Sequence, residues 1–195
     1  MLSRVCVFCG SNKGIRDSYA TATRALVQVL AERNIGLVYG GGNIGLMGLL
    51  ADAALETGVE VIGVIPRFLV EKEVAHKNLT EMRVVGSMHE RKALMADLSD
   101  AFVALPGGFG TFDEFCEILT WAQLGLHHKP CGILNANGYF DYFLKMLDHA
   151  EDEEFLKPEH RRMVLSAADS SELLDRLQIY QPPGTGAKWI TSDQV

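Results

Sequence analysis

Leu105-Pro-Gly-Gly-Phe-Gly-Thr-Phe-Asp-Glu-Phe-Cys-Glu117 joins the end of a strand, a glycine turn and the start of a carboxylate-bearing helix. Ala101 to Leu105 is short, apolar and closed by Pro106, the pattern of a strand buried on both faces of a parallel sheet. Gly107, Gly108 and Gly110 let the backbone turn sharply and approach a ligand without a side chain in the way. Thr111 is placed to cap the helix that follows. Unpaired N–H groups at such a helix start attract a phosphate or carboxylate. Glu114 and Glu117, three residues apart, share a helix face, and Asp113 points roughly 100° away from Glu114. Acids in a first turn commonly do no more than complement the helix dipole, at about 0.3–1 kcal/mol. The glycines directly before them favour a ligand instead.

Two further glycine loops also follow strands. Arg4 to Phe8 reads as a first strand leading into Cys9-Gly-Ser11-Asn-Lys-Gly14, then a helix from about Asp17 to Arg33. Gly36 to Tyr39 is a second strand, opening into Gly40-Gly-Gly-Asn-Ile-Gly-Leu-Met-Gly48 and a helix to about Glu56. Gly40, Gly42 and Gly45 have the G-x-G-x-x-G spacing. The acid that ends the next strand in a dinucleotide fold, about 20 residues on, is missing, and Glu60 begins that strand instead. Gly48 reads as close packing of helix on strand. Glu60 to Ile65 is the third strand, and the long connection from Phe68 to Thr80, with Glu71, Glu73, His76 and Lys77, has the character of a binding loop.

Met82 to Val85 is a fourth strand. Met88 to about Leu98 is a helix whose early Arg91 and Lys92 oppose its dipole, and so are either a solvated pair or ligand contacts. Cys131 to Leu134, a helix from Tyr139 to about His149, a short helix within 155–163, a minor strand at Val164-Leu165 and a helix from Ser170 to Leu177 complete one domain, residues 1–180. Residues 181–195, broken by Pro182-Pro183-Gly184, read as a flexible tail with Trp189 as an anchor. Alternating strands and helices predict a doubly wound parallel α/β sheet, Rossmann-like, with all three glycine loops along its carboxyl edge.

A formal charge of -7 disfavours a nucleic-acid face, which needs clustered cations. The chain has no apolar run of transmembrane length, and its N-terminus runs straight into a strand, so it reads as cytoplasmic with no membrane partner. Cys6 and Cys9 lie three apart in and just after a strand and face opposite sides, as buried thiols do. His127 and His128 lack ligands at helical spacing, belong to a surface turn, and indicate no metal. An anion-binding turn, a carboxylate and an Arg-Lys pair suit a phosphorylated, sugar-bearing substrate. No P-loop and no G-x-S-x-G elbow is present. Cleavage of an N-glycosidic bond fits, because a carboxylate stabilises its oxocarbenium-like transition state and activates water.

Pro106-Gly-Gly-Phe-Gly-Thr-Phe-Asp-Glu114 resembles the PGGxGTxxE motif of the Lonely Guy (LOG) family of cytokinin-activating phosphoribohydrolases. Phe8-Cys-Gly-Ser11, Tyr39 to Gly48, Met88-His-Glu-Arg-Lys92 and Leu119-Thr-Trp-Ala-Gln123 follow in family order, and only the tail after Gln181 falls outside the resemblance. The resemblance implies hydrolysis of N6-substituted adenosine 5'-monophosphates, or AMP itself, to free base and ribose 5-phosphate. It implies no cofactor, and a homodimer with its site near the subunit interface. Arg91 and Glu114 would be the catalytic pair. Lys92 and the Gly108, Phe109, Gly110 and Thr111 backbone would contact the nucleotide, with Glu73, Ser11, Gly41, Gly42, Met88, Gly107 and Glu117 as further substrate contacts. Where the family often has Tyr and Leu-Glu, this chain has Phe109 and Phe112-Asp113, a shorter second acid. The family's frequent label, lysine decarboxylase, requires pyridoxal phosphate on a Schiff-base lysine. Lys92, the only lysine near the motifs, occupies the nucleotide-contacting slot. The alternative is a non-catalytic carrier of a nucleotide or of molybdenum cofactor on the same fold.

Overall fold

Period-two burial along the first strand organises the molecule. Val5, Val7 and Cys9 pack to one side, and Cys6 and Phe8 to the other. The computed structural model describes residues 2–72 and 74–183. In chain order its elements are β1 (Arg4–Phe8), α1 (Asp17–Glu32), β2 (Gly36–Tyr39), α2 (Gly45–Glu56), β3 (Val61–Pro66), α3 (Arg67–Val70), β4 (Glu81–Val85) and α4 (Met88–Asp97). They continue as β5 (Ala101–Ala104), α5 (Phe109–Gln123), β6 (Cys131–Leu134), α6 (Asp141–Asp152), α7 (Pro158–Arg161), β7 (Val164–Ala167) and α8 (Ser170–Gln178).

The strands form one parallel sheet in the order β4-β3-β2-β1-β5-β6-β7. Apart from Arg4 at the start of β1, its central strands are buried along their whole length, which explains their continuous apolar runs. Leu26, Leu30, Leu46, Leu50, Leu173 and Leu177 bring α1, α2 and α8 onto one face. Met95, Phe115 and Ile118 bring α4 and α5 onto the other. The expected doubly wound fold is therefore observed, and the two cysteines lie in opposite cores.

Strand order reverses between β1 and β5. Their loops meet there, with Gly10 N donating to Pro106 O at 3.0 Å and Leu105 N to Phe8 O at 2.9 Å. The loop after β2 joins them, since Leu46 N donates to Gly10 O at 3.0 Å. Three details depart from the sequence reading. The minor strand is a full edge strand, β7, paired along β6. A single helical turn, α3, follows β3 directly. His127 is tucked inward rather than lying on a surface turn: its Nε2 sits 2.9 Å from Ile118 O and its ring 5.3 Å from Phe102. Burial takes its pKa down to about 4, so it is neutral at ordinary pH. His128 is exposed. Trp189 and most of the expected tail lie outside the described residues.

Candidate active site

The first turn of α4 is built by a variant of the capping box, in which the glutamate reaches the residue before the N-cap. Ser87 Oγ accepts from Glu90 N at 3.1 Å, and Glu90 Oε2 accepts from Gly86 N at 2.7 Å. With that turn fixed, the next two residues, Arg91 and Lys92, face inward and are buried. Arg91 Nε donates to Val64 O at 3.0 Å, Nη2 to Gly40 O at 3.2 Å and Nη1 to Glu114 Oε1 at 2.7 Å. A Cβ on Gly40 would collide with the guanidinium, so a residue without a side chain is needed where β2 ends. Each Nη carries a second N–H beyond these bonds.

Glu114 sits on α5 and only 10% of its side chain is exposed. Burial raises its pKa above the ordinary 4.5, and the nearby Arg91 only partly opposes that. The carboxyl therefore takes up a proton more readily than a surface glutamate, as a base that accepts one from water must. Lys92 is gripped by Glu117 Oε2 at 2.8 Å and Asp113 Oδ2 at 3.2 Å. Burial works to lower the Lys92 pKa, but these two carboxylates outweigh it and leave it raised. The cations that looked misplaced on α4 are thus compensated by the carboxylates of α5. Asp113, though a shorter acid, reaches Lys92.

Thr111 does not cap α5, contrary to the sequence reading. The helix begins at Phe109, Gly108 is the N-cap without a side-chain bond, and Thr111 is buried inside the first turn with its hydroxyl against Gly107. The N–H groups of Phe109, Gly110 and Thr111 belong to that first turn and have no acceptor within the helix. Glu114 follows Gly108 by roughly 9 Å along the axis. Phe109 is 93% exposed.

The turn borders a cavity of about 290 Å³ at the β1/β5 switch, whose walls include Ser11, Lys13, Tyr19, Gly107, Gly108 and Tyr139. Arg91 and Glu114 do not line it. They lie beside Gly40 and Val64, at the ends of β2 and β3. Gly41 and Gly42 are buried and strapped to the long loop: His76 N donates to Gly41 O at 2.9 Å and Asn43 N to Val74 O at 2.9 Å. Glu73 lies outside the described residues. Met88 opens α4, three residues before Arg91, and is half-buried. Among the described residues no group of three or more His, Cys, Asp or Glu is placed to hold a metal ion.

Sequence reasoning missed three contributors. The Ser87-x-x-Glu90 spacing was a readable signal for the start of α4. Gly40 as the seat of Arg91, and Tyr139, whose hydroxyl donates to Gly107 O at 2.6 Å, left no local signal.

Residues 47–177 match a protein family described as "possible lysine decarboxylase". The chain is 50% identical to cytokinin riboside 5'-monophosphate phosphoribohydrolase LOG5 of Arabidopsis thaliana, over 98% of this chain and 86% of that one. It is 48% identical to the probable phosphoribohydrolase LOGL3 of Oryza sativa subsp. japonica, over 96% of this chain and 91% of that one. Among solved structures, the molybdenum cofactor binding protein of Rippkaea orientalis superposes with a TM-score of 0.68 at 18% identity, covering 91% of this chain and 96% of that one. At that identity the likeness is one of fold. The decarboxylase description implies pyridoxal phosphate on a lysine, and Lys92, the α4 lysine beside Glu114, does not fit that role. A Schiff-base lysine needs a neutral amine, whereas Lys92 is held as a cation between two carboxylates.

Proposed function

The chain belongs to the Lonely Guy (LOG) family, and we propose from that premise that it hydrolyses the N-glycosidic bond of adenosine 5'-monophosphates, N6-substituted ones above all. The products are the free base and ribose 5-phosphate. The observation that carries this reading is the buried Arg91–Glu114 pair, whose carboxylate sits on α5, the helix with an N-terminus open to an anion.

In the reaction, the N–H groups of Phe109 to Thr111 hold the 5'-phosphate at the positive end of α5. Glu114 takes a proton from the attacking water, and its negative charge stabilises the oxocarbenium-like centre at the ribose. The water oxygen bonds to the anomeric carbon as the bond to the base nitrogen breaks, and the proton passes to the departing base. Arg91 holds Glu114 in place and turns its remaining N–H groups toward the nucleotide. Lys92, with Glu117, supplies further charge beside the substrate. Glu73, Ser11, Gly41, Gly42 and Met88 complete the contacts.

The protein works in the cytoplasm as a homodimer with its site near the subunit interface. Family membership supports the dimer, as does a crevice of about 220 Å³ between Ala93 and Ala96 of α4, the helix that carries Arg91, and Trp121 of α5. Incubating pure protein with isopentenyl-AMP and with AMP, then separating the products by chromatography, tests the reading. Free base and ribose 5-phosphate are expected; bound but intact nucleotide would instead make the protein a carrier.

A further inference from the structure

Tyr139 lies 32 residues beyond the glycine turn, yet its hydroxyl donates to Gly107 O at 2.6 Å. The chain reaches this position by a sharp reversal after β6. Asn135 Oδ1 accepts from Phe140 N at 2.8 Å and Asn135 Nδ2 donates to Asp141 Oδ1 at 2.7 Å, while Asn137 and Gly138 take positive φ values of 54° and 68°. The ring is then fixed edge-on against Tyr19 at 5.7 Å and against Phe140 at 5.0 Å. Gly107 precedes the N-cap of α5, so its carbonyl has no place in the helix ladder. A peptide group is rigid and planar, so holding the Gly107 carbonyl also sets the direction of the Gly108 N–H.

We propose that Tyr139 is a positioning residue for the phosphate-binding turn: by fixing the Gly107–Gly108 peptide it keeps the first N–H groups of α5 converged on the 5'-phosphate of the nucleotide. This rests on the function proposed above and adds a residue from the β6–α6 turn to its machinery. The ring carries the packing and the hydroxyl carries the orientation, so the two separate in Tyr139→Phe.

The test compares ligands with and without phosphate. In Tyr139→Phe, KM for AMP and the inhibition constant of ribose 5-phosphate rise about fivefold, the loss expected for one hydrogen bond. Neither kcat nor inhibition by adenosine, which lacks the phosphate, changes. Equal weakening toward adenosine and AMP, or no weakening of either, overturns the proposal. Should the phenylalanine protein not fold, Tyr139→Met serves for the same comparison. If the wild-type protein binds AMP without releasing adenine, the hydrolase reading fails by itself. Calorimetric affinities for AMP and adenosine then report on Tyr139 independently.

Discussion

The glycine loop after β2 and the glycine turn after β5 look alike in sequence and do opposite things in the fold. In the first, the missing side chains are taken up by the protein itself. A Cβ on Gly40 would strike the Arg91 guanidinium, and one on Gly45, which has φ +63°, would strike the backbone of Ser11. In the second, Gly107 is crowded in the same way, against Thr111 and Gly10, but a Cβ on Gly108 or Gly110 would meet nothing within 4 Å, and neither of those two has a positive φ. No neighbour among the described residues requires glycine at 108 or 110. That open space at a helix N-terminus is what a closely approaching ligand needs, whereas the crowding at Gly40 and Gly45 is structural, seating Arg91 and the Ser11 loop.

The sharpest way to break this contrast is through the helix that the open turn begins. Glu114→Gln should lower kcat about 10²- to 10⁴-fold in a base-release assay while nucleotide binding largely survives. Near-normal turnover would remove Glu114 from the chemistry. In the wild type the acid limb of kcat/KM should lie above pH 4.5, because burial raises this carboxyl. The same shift has a stability sign. The folded protein binds that proton more tightly than the unfolded chain, so the contribution is full below pH 4.5 and lost as pH rises through the folded pKa. Glu114→Gln should lack that decline in urea titrations across the same range.

Next in size, Gly45→Ala should cost about 2–5 kcal/mol in denaturant unfolding, through backbone strain and overpacking against Ser11. A stability within about 0.5 kcal/mol of wild type would show that the crowded loop is not crowded. The smallest effect has the opposite sign. Gly110→Ala should leave stability unchanged or raise it by about 0.5–1 kcal/mol, as a helical glycine replaced by alanine does. Its KM for AMP should nonetheless rise on the order of tenfold as the new methyl crowds the phosphate. Loss of stability there, or unchanged KM, would erase the distinction between the two loops.

Much of the site was legible because its signals are local. Short apolar runs ended by glycine or proline mark the strand ends, and one residue's phase along β1 sends Cys6 and Cys9 to opposite cores. The spacing from Gly107 to Glu114 put a carboxylate near an anion-binding helix start. The cap of α5 was misread because threonine is a good N-cap in general. Here Gly108 already holds the extended conformation the cap requires, with φ −98° and ψ −154°, and Thr111 packs inside the first turn. His127 was misread because its partner carbonyl, on Ile118, becomes its neighbour only once α5 has turned back toward β6.

The sequence by itself determined the alternation of strand and helix, the parallel sheet and the placing of three glycine loops on one edge, since each follows from periodicity and from the backbone freedom of a few residues. Tertiary structure alone decided which partners those loops meet. Glu114 compensates Arg91, Asp113 and Glu117 compensate Lys92, and Tyr139 holds Gly107, because the strand order brings together side chains that no local pattern relates. A buried charge depends on what packs against it, and in this fold those neighbours come from the far side of a crossover.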